Sequence, residues 1–463
     1  APLVSFLFVF RTGAASDPAE KEGFAALTAS LLSDGGSKAM TYDQIVEAMY
    51  PMATSFNSQV DKEMTVFSGT THIDNLDAYY GIIRQMLLDP GFREDDFKRI
   101  KENQINYLKV SLRGGNDEEL GKEALYAEIY RGTPYGHVNQ GRVSSLEALT
   151  IDDVKNFYKA NYTQANLRIG LAGGLPKGFA TRVEKDFAVL PAGSPEPVAL
   201  PKPKLDPGTK ITIIERPTRS TAISIGFPID VTRADADWPA LAVVASYFGQ
   251  HRSSNSYLYQ RLREARGLNY GDYAYIEYFP RGMFQFEPDP NLGRRQQIFQ
   301  IWIRPVEPQN GQFALRAALY EFDKLVRDGM SKEAFEATCA FLEKNASLLT
   351  STQDTRLGYA LDSNYYGIPE YAPYMRAQVA KLTLDDVNRA IRKYLASSAV
   401  RIVMVTKDGA ALKDAIVANA PSPITYNSPK PDLIMQEDKT IEVYPIKVKA
   451  DDVTVVKVDS VFQ

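Results

Sequence analysis

At 463 residues the chain is too long for one ordinary hydrophobic core, so two or more domains are expected. With 44% hydrophobic and 24% charged residues it has the make-up of a globular protein, and a formal net charge of −4 with no Lys/Arg block argues against nucleic acid or anionic membrane as a partner. No apolar run is long enough to cross a bilayer, and the one cysteine, Cys339, excludes an intrachain disulfide.

Leu3 to Phe10 reads as a buried strand, followed by a turn from Arg11 to Pro18. In Gly23 to Leu32, GFAALTASLL, the residues Phe24, Leu27 and Leu31 recur at i, i+3 and i+7, the spacing of a helix with one buried stripe. Small residues fill its other side: Ala25, Ala26, Thr28, Ala29 and Ser30. Met40 to Met49 reads as a short helix capped by Thr41, with Ile45 and Met49 inward. Ser55 to Gln59 and Glu63 to Gly69 read as an antiparallel pair. Asp74 is placed to cap a helix from Asn75 to Leu88, whose stripe is Leu76, Tyr79, Ile83, Met86 and Leu87. Glu94 to Leu112 reads as one long helix ended by Gly114 and Gly115, and Asn116 with Glu119 forms a capping box for the next. The loop RGTPYG, Arg131 to Gly136, leads to a helix at Thr150 to Ala160 and a strand at Leu167 to Ala172.

From Pro191 the composition shifts. LPAGSPEPVALPKPKLDPG has six prolines and no periodicity, the signature of an extended, semi-rigid linker. Beyond it, strands at Lys210 to Glu215 and Thr221 to Pro228 precede a helix at Trp238 to Phe248. Leu149-Thr150-Ile151-Asp152-Asp153-Val154 then recurs as Leu382-Thr383-Leu384-Asp385-Asp386-Val387, and the same offset carries Arg168-Ile169 onto Arg401-Ile402. A capped helix and a strand repeated at one offset point to a duplicated domain. Each copy mixes strand pairs with helices, so the fold class is α+β, with two homologous layered domains on antiparallel or mixed sheets. The expected division is 1–192, a linker at 193–209, a second copy at 210–420, and an extension at 421–463 with two strand-like runs.

Chemistry-bearing residues are few. There are three histidines, His72, His137 and His251, and no two lie within one helical turn, so no His-x-x-x-His pair forms on a helix. Each reads as an ordinary structural side chain. Cys339, in the helical pattern FEATCAFLEK, reads as a small buried apolar residue. Phosphate loops, nucleophile elbows and dinucleotide fingerprints are absent. The alternating Tyr273, Tyr275 and Tyr278 suit strand packing or the lining of a chamber better than base stacking.

The strand, turn, Gly and helix at the start, the GTPYG loop, the stretch LTIDDVKNFYKANY (Leu149 to Tyr162) and the segment YLYQRLREARGLNYG (Tyr257 to Gly271) together resemble the pitrilysin/insulinase family of zinc metallopeptidases. The resemblance covers nearly the whole chain. It implies a clamshell of α+β halves around a chamber for extended peptides, of which this chain forms one half. In that family the first helix carries His-x-x-Glu-His. Here those five places read Ala26, Leu27, Thr28, Ala29 and Ser30, and the third metal ligand falls on Tyr107 with Glu102 nearby. The resemblance therefore implies a degenerate zinc motif at Ala26, Ala29, Ser30 and Tyr107, with no metal or other cofactor in this chain and no hydrolysis by it alone. Arg263 and Tyr270, seven apart across Gly267, are similar to the family's second-half Arg/Tyr pair, which holds substrate beside the scissile bond. A guanidinium is a fixed fork of donors for peptide carbonyls, and a phenol donates to an oxyanion. Arg261 and Arg266 read as solvated helix charges. Some relatives divide the two motifs between subunits. The resemblance thus implies a non-metal subunit that pairs with a homologous zinc-bearing partner, encloses a peptide, and resides in the periplasm or is secreted. The alternative is an inert structural or peptide-binding homologue.

Overall fold

A computed structural model describes residues 2–463. The first strand, β1 (Leu3–Phe10), is apolar except for Ser5 and buried beyond Leu3, because both of its faces are covered. Phe6 and Phe8 pack on one side against Phe179 and Phe187, with ring centroids 6.0 and 4.8 Å apart. Leu7 and Val9 pack on the other against Leu357 and Leu361. Helix α1 (Phe24–Asp34) follows. The hairpin is β2 (Asn57–Val60) and β3 (Thr65–His72), each shifted toward the C-terminus from the expected spans.

Helix α2 (Glu94–Asn106) is shorter than expected, since the turn Tyr107–Leu112 widens to the π form before the chain leaves the helix at Asn116. Helix α3 (Asp117–Ile129) is capped by Asn116, whose side chain accepts from the Glu119 N–H at 3.1 Å. The reciprocal half of the expected box is missing, because the Glu119 carboxylate turns to Lys122 at 3.4 Å. Asp74 does not cap the helix Leu76–Leu88 either; it lies in a 3-10 turn capped by His72. Helix α4 (Ile151–Asn161) leads to β4 (Leu167–Gly173), completing an antiparallel sheet in the order β2-β3-β1-β4.

The proline-rich stretch forms neither helix nor strand until Gly208. A second sheet follows: β5 (Gly208–Glu215), β6 (Thr221–Ile229), β7 (Asp272–Tyr275), β8 (Gln297–Val306), β9 (Ala399–Thr406) and β10 (Val453–Lys457). Its order is β10-β5-β9-β6-β8-β7, mixed because β5 runs parallel to both β9 and β10. Its helices include α5 (Trp238–Gly249), α6 (Lys332–Leu349), α7 (Gln353–Tyr366) and α8 (Leu384–Tyr394). The terminal region holds one helix, α9 (Asp432–Ile441), and one strand, not two strands. Its polar i, i+4 surface hides a helical stripe of Ile434, Asp438 and Ile441 that a short window does not reveal.

The two sheets exchange covers. Helix α3 packs on β6 and β9 of the second sheet, where Leu125 and Ile129 lie over Gly226. Helix α7 packs on β1 and β4 of the first, where Leu357 and Leu361 press on Gly170. One continuous core accordingly mixes Leu120 and Leu125 with Ile214, Ala222 and Val405.

Candidate functional site

The first helix is held at its start by Asp17. Its carboxylate accepts from the N–H groups of Gly23 and Ala25 at 2.7 and 2.8 Å, on the positive end of the helix dipole. His137 Nε2 lies 3.2 Å from the same carboxylate, and burial followed by the nearby Lys62 pushes this imidazole below its ordinary range. His137 is thus a neutral brace, not a free ligand. Ala26 and Ala29 are buried and Ser30 half-buried, so the face that would carry the zinc motif offers one hydroxyl. Tyr107 stands on the wide turn after α2, 37% exposed, and partial burial raises its phenol so that it stays neutral. Two alanines, a serine and a protonated phenol do not fit zinc, which takes imidazole, thiolate or carboxylate. Among the described residues no three His, Cys, Asp or Glu side chains are grouped to hold a metal ion.

Tyr107 lines a cavity of about 320 Å³ with Glu119, Glu123, Asn139 and Tyr278. Burial raises Glu123, and Tyr278 donates its hydroxyl to it. One wall is β2, the edge of the first sheet, whose outer side pairs with no strand among the described residues. Such an edge presents backbone donors and acceptors in the register of an added strand.

Arg263 and Tyr270 lie in the second half. The Tyr259–Glu264 turn is widened, with the Ala265 N–H reaching back to Gln260 O at 3.0 Å. Arg263 ion-pairs with Glu264 at 2.6 Å and lies 5.5 Å over the Tyr259 ring. Gly267 turns the chain with φ of 70°, and Tyr270 then stands 78% exposed just before β7. No hydrogen bond joins Arg263 to Tyr270; both present polar ends to solvent.

Arg261 and Arg266 differ from expectation. Arg266 is 2% exposed and donates to Asp438 at 2.8 Å and Glu437 at 2.7 Å. Arg261 donates to the fully buried Glu321 at 2.8 Å and also meets Glu437. Helix α9 covers them, and a partner more than 170 residues away leaves no local signal. Two further groups escape sequence reading for the same reason. His251 sits between Tyr275 Oη and Gln285 O, at 2.8 Å from each, and Arg233 is enclosed by Trp238, Tyr359, Tyr366 and Tyr371. Tyr273 and Tyr275 are buried against Trp302. Cys339 is half-exposed, and burial pushes its thiol up to about 11, which removes it as a nucleophile. No helix is long and apolar enough to cross a membrane among the described residues.

Comparison with known proteins gives two family matches: residues 2–139 match "Insulinase (Peptidase family M16)" and residues 148–342 match "Peptidase M16 inactive domain". Among curated relatives, an uncharacterized zinc protease of Mycobacterium tuberculosis is 21% identical over 76% of each chain. One from Rickettsia bellii is 25% identical over 54% of this chain and 59% of its own. A "non-peptidase homolog" of Helicobacter pylori, YmxG, is 20% identical over 85% of this chain and 86% of its own. Among solved structures, an M16 inactive-domain protein of Pseudomonas fluorescens superposes with a TM-score of 0.76 at 20% identity, covering 88% of this chain and 92% of its own. The periplasmic protease PqqL of Escherichia coli gives 0.67 at 15% identity, covering 95% of this chain and 48% of its own.

Proposed function

The chain belongs to the insulinase family, peptidase family M16, as an inactive member, and on that premise we propose that it is the non-metal subunit of a two-chain zinc peptidase. Its partner is a homologue bearing His-x-x-Glu-His and the metal. This chain closes the other side of the chamber and offers Arg263 and Tyr270 to a peptide held at the partner's zinc. The observation that carries the reading is the 78% exposure of Tyr270 beside a turn braced by the half-buried Arg261 and the buried Arg266. A large aromatic left in water on a rigid support suits contact with a second molecule. The likeness to one half of the longer periplasmic PqqL supports both the pairing and a periplasmic or secreted location.

In this reading the Arg263 guanidinium binds carbonyls of the extended peptide, and the Tyr270 hydroxyl donates to the oxygen that gains charge as the peptide bond is attacked. The metal, supplied by the partner, polarises the attacking water. Purified chain added to a zinc-bearing homologue should raise peptide hydrolysis. Tyr270→Phe should then lower kcat by roughly 10²–10³ while the complex still elutes as one species. A partner that cleaves equally fast alone rules the reading out. The Helicobacter homologue named a non-peptidase favours the inert alternative, which predicts that Arg263→Ala with Tyr270→Ala leaves partner activity unchanged.

A further inference from the structure

Tyr270 stands 78% exposed, yet the chain on both sides of it is tied down. Before it, the Gly267 N–H donates to Arg263 O at 2.7 Å and the Leu268 N–H to Leu262 O at 3.3 Å. After it, Gly271 O accepts from the Arg304 N–H of β8 at 3.1 Å. Asn269 joins the two sides. Its Nδ2 donates to Arg304 O at 2.9 Å and to Asp272 Oδ1 at 2.7 Å, and its Oδ1 accepts from the Gly271 N–H at 3.3 Å. One amide side chain thus clamps the backbone and the carboxyl that bracket Tyr270.

The carboxyl in this clamp is poorly compensated. Asp272, the first residue of β7, is 0% exposed. Among the described residues Asn269 is the one donor to its side chain, and Oδ2 has none. Burial pushes Asp272 up to about 8, against the smaller opposing effects of the Asn269 hydrogen bond and the Arg304 charge. The clamp therefore closes on an uncharged acid at neutral pH.

The elements packed on β7 supply no loose cation to change this. On β8, Arg304 donates to Glu118 of α3 at 3.2 and 3.3 Å. On the turn Tyr259–Glu264, Arg261 is held by Glu321, and Arg263 and Glu264 pair with each other beside Tyr259. Helix α5 carries Tyr247 as its one titratable side chain. On β7 itself, burial raises the phenols of Tyr273 and Tyr275.

We propose that Asn269 is the positioning residue for Tyr270, and that the proton on Asp272 keeps its clamp shut. When that proton passes to solvent, the carboxylate draws the turn into water and Tyr270 loses its fixed direction. The proposal rests on the reading that Tyr270 contacts the peptide, and adds a control by pH to that contact. In water the Asp272 carboxyl returns to about 4. Between about 4 and 8 the shut clamp holds a proton that the open one has lost. Opening thus becomes up to about tenfold easier per pH unit across that window and levels off above it.

The test follows amide hydrogen exchange by NMR on the isolated full chain, as protection relative to the unstructured rate. The reporter is the Arg304 N–H, bonded to Gly271 O. Its protection should fall about tenfold from roughly pH 6.5 to 8, while that of Phe299, further along β8, stays constant. Asp272→Asn keeps an acceptor for Asn269 and cannot ionise, so its Arg304 protection should be equal at both pH values. Should that variant fail to fold, Asp272→Ser replaces it with the same expectation. Asn269→Ala should lower the order parameter of the Tyr270 amide from about 0.85 to below about 0.6 and leave Phe299 rigid. Constant Arg304 protection in the native chain overturns the proposal, as would follow if Arg304 left Glu118 to neutralise Asp272. So does a pH response that survives in Asp272→Asn, or an unchanged Tyr270 order parameter in Asn269→Ala. If the clamp behaves as expected but Tyr270→Phe leaves the partner's hydrolysis unaltered, the clamp stands and the two-chain reading fails.

Discussion

Gly23 shows how one residue positions the first helix. Its φ is 106°, and a Cβ there would lie 2.8 Å from Gln140 O and from Leu146 Cδ2. Gly23→Ala should cost roughly 1–3 kcal/mol, read as a lower urea midpoint. His251 has a different signature. Burial holds it at about 4, against about 6.5 when unfolded. Between those values the unfolded chain takes up a proton that the folded chain refuses, so stability falls as pH drops from about 6.5 to 4. His251→Gln should flatten that acid-side slope in denaturation curves measured across this range. At this scale the sequence was informative wherever chemistry is counted by position. That Ala26, Ser30 and Tyr107 supply no imidazole or carboxylate for zinc, and Ala29 no base, is visible in the residues themselves. Arg233, Arg261 and Arg266 were opaque, because their meaning comes from Glu277, Glu321 and α9, which only folding brings near.

The duplicated caps make the clearest case at the level of elements. In α4 the Thr150 hydroxyl accepts from the Asp153 N–H at 3.2 Å, and the Asp153 carboxylate accepts from the Thr150 N–H at 3.0 Å. In α8, Thr383 and Asp386 repeat both distances. Thr150→Ala and Thr383→Ala should each cost about 1 kcal/mol, and nearly add when combined. Hydrogen bonds from Thr383 lower Asp386 to about 2, from 3.8. Its contribution is therefore complete above about pH 4 and lost as pH falls toward 2, so the Thr383→Ala penalty should shrink over that window. Helix existence was legible because caps and 3.6-residue stripes are local. The π-type turns at Tyr107–Leu112 and Tyr259–Glu264 were not, since an extra residue in a turn leaves the apolar pattern almost unchanged.

At the scale of the molecule, a buried ion pair joins the halves. Arg294 donates to Asp61 through Nε at 2.7 Å, with both side chains at or below 1% exposure. Asp61→Ala leaves a guanidinium stranded among Tyr126, Tyr135 and Tyr278, and should destabilise by about 3–5 kcal/mol. Removing Arg294 as well should cost less than the sum of the two single changes, as a double-mutant cycle in urea would show.

The crossed helices α3 and α7 bear on what happens when the backbone is severed between the sheets. Each half carries a clasp buried in the other, so a protease that nicks the proline-rich tether should leave a particle of unchanged hydrodynamic radius. Its two fragments would separate only in denaturant, and neither, expressed alone, should remain monomeric with its sheet stripped of that borrowed helix.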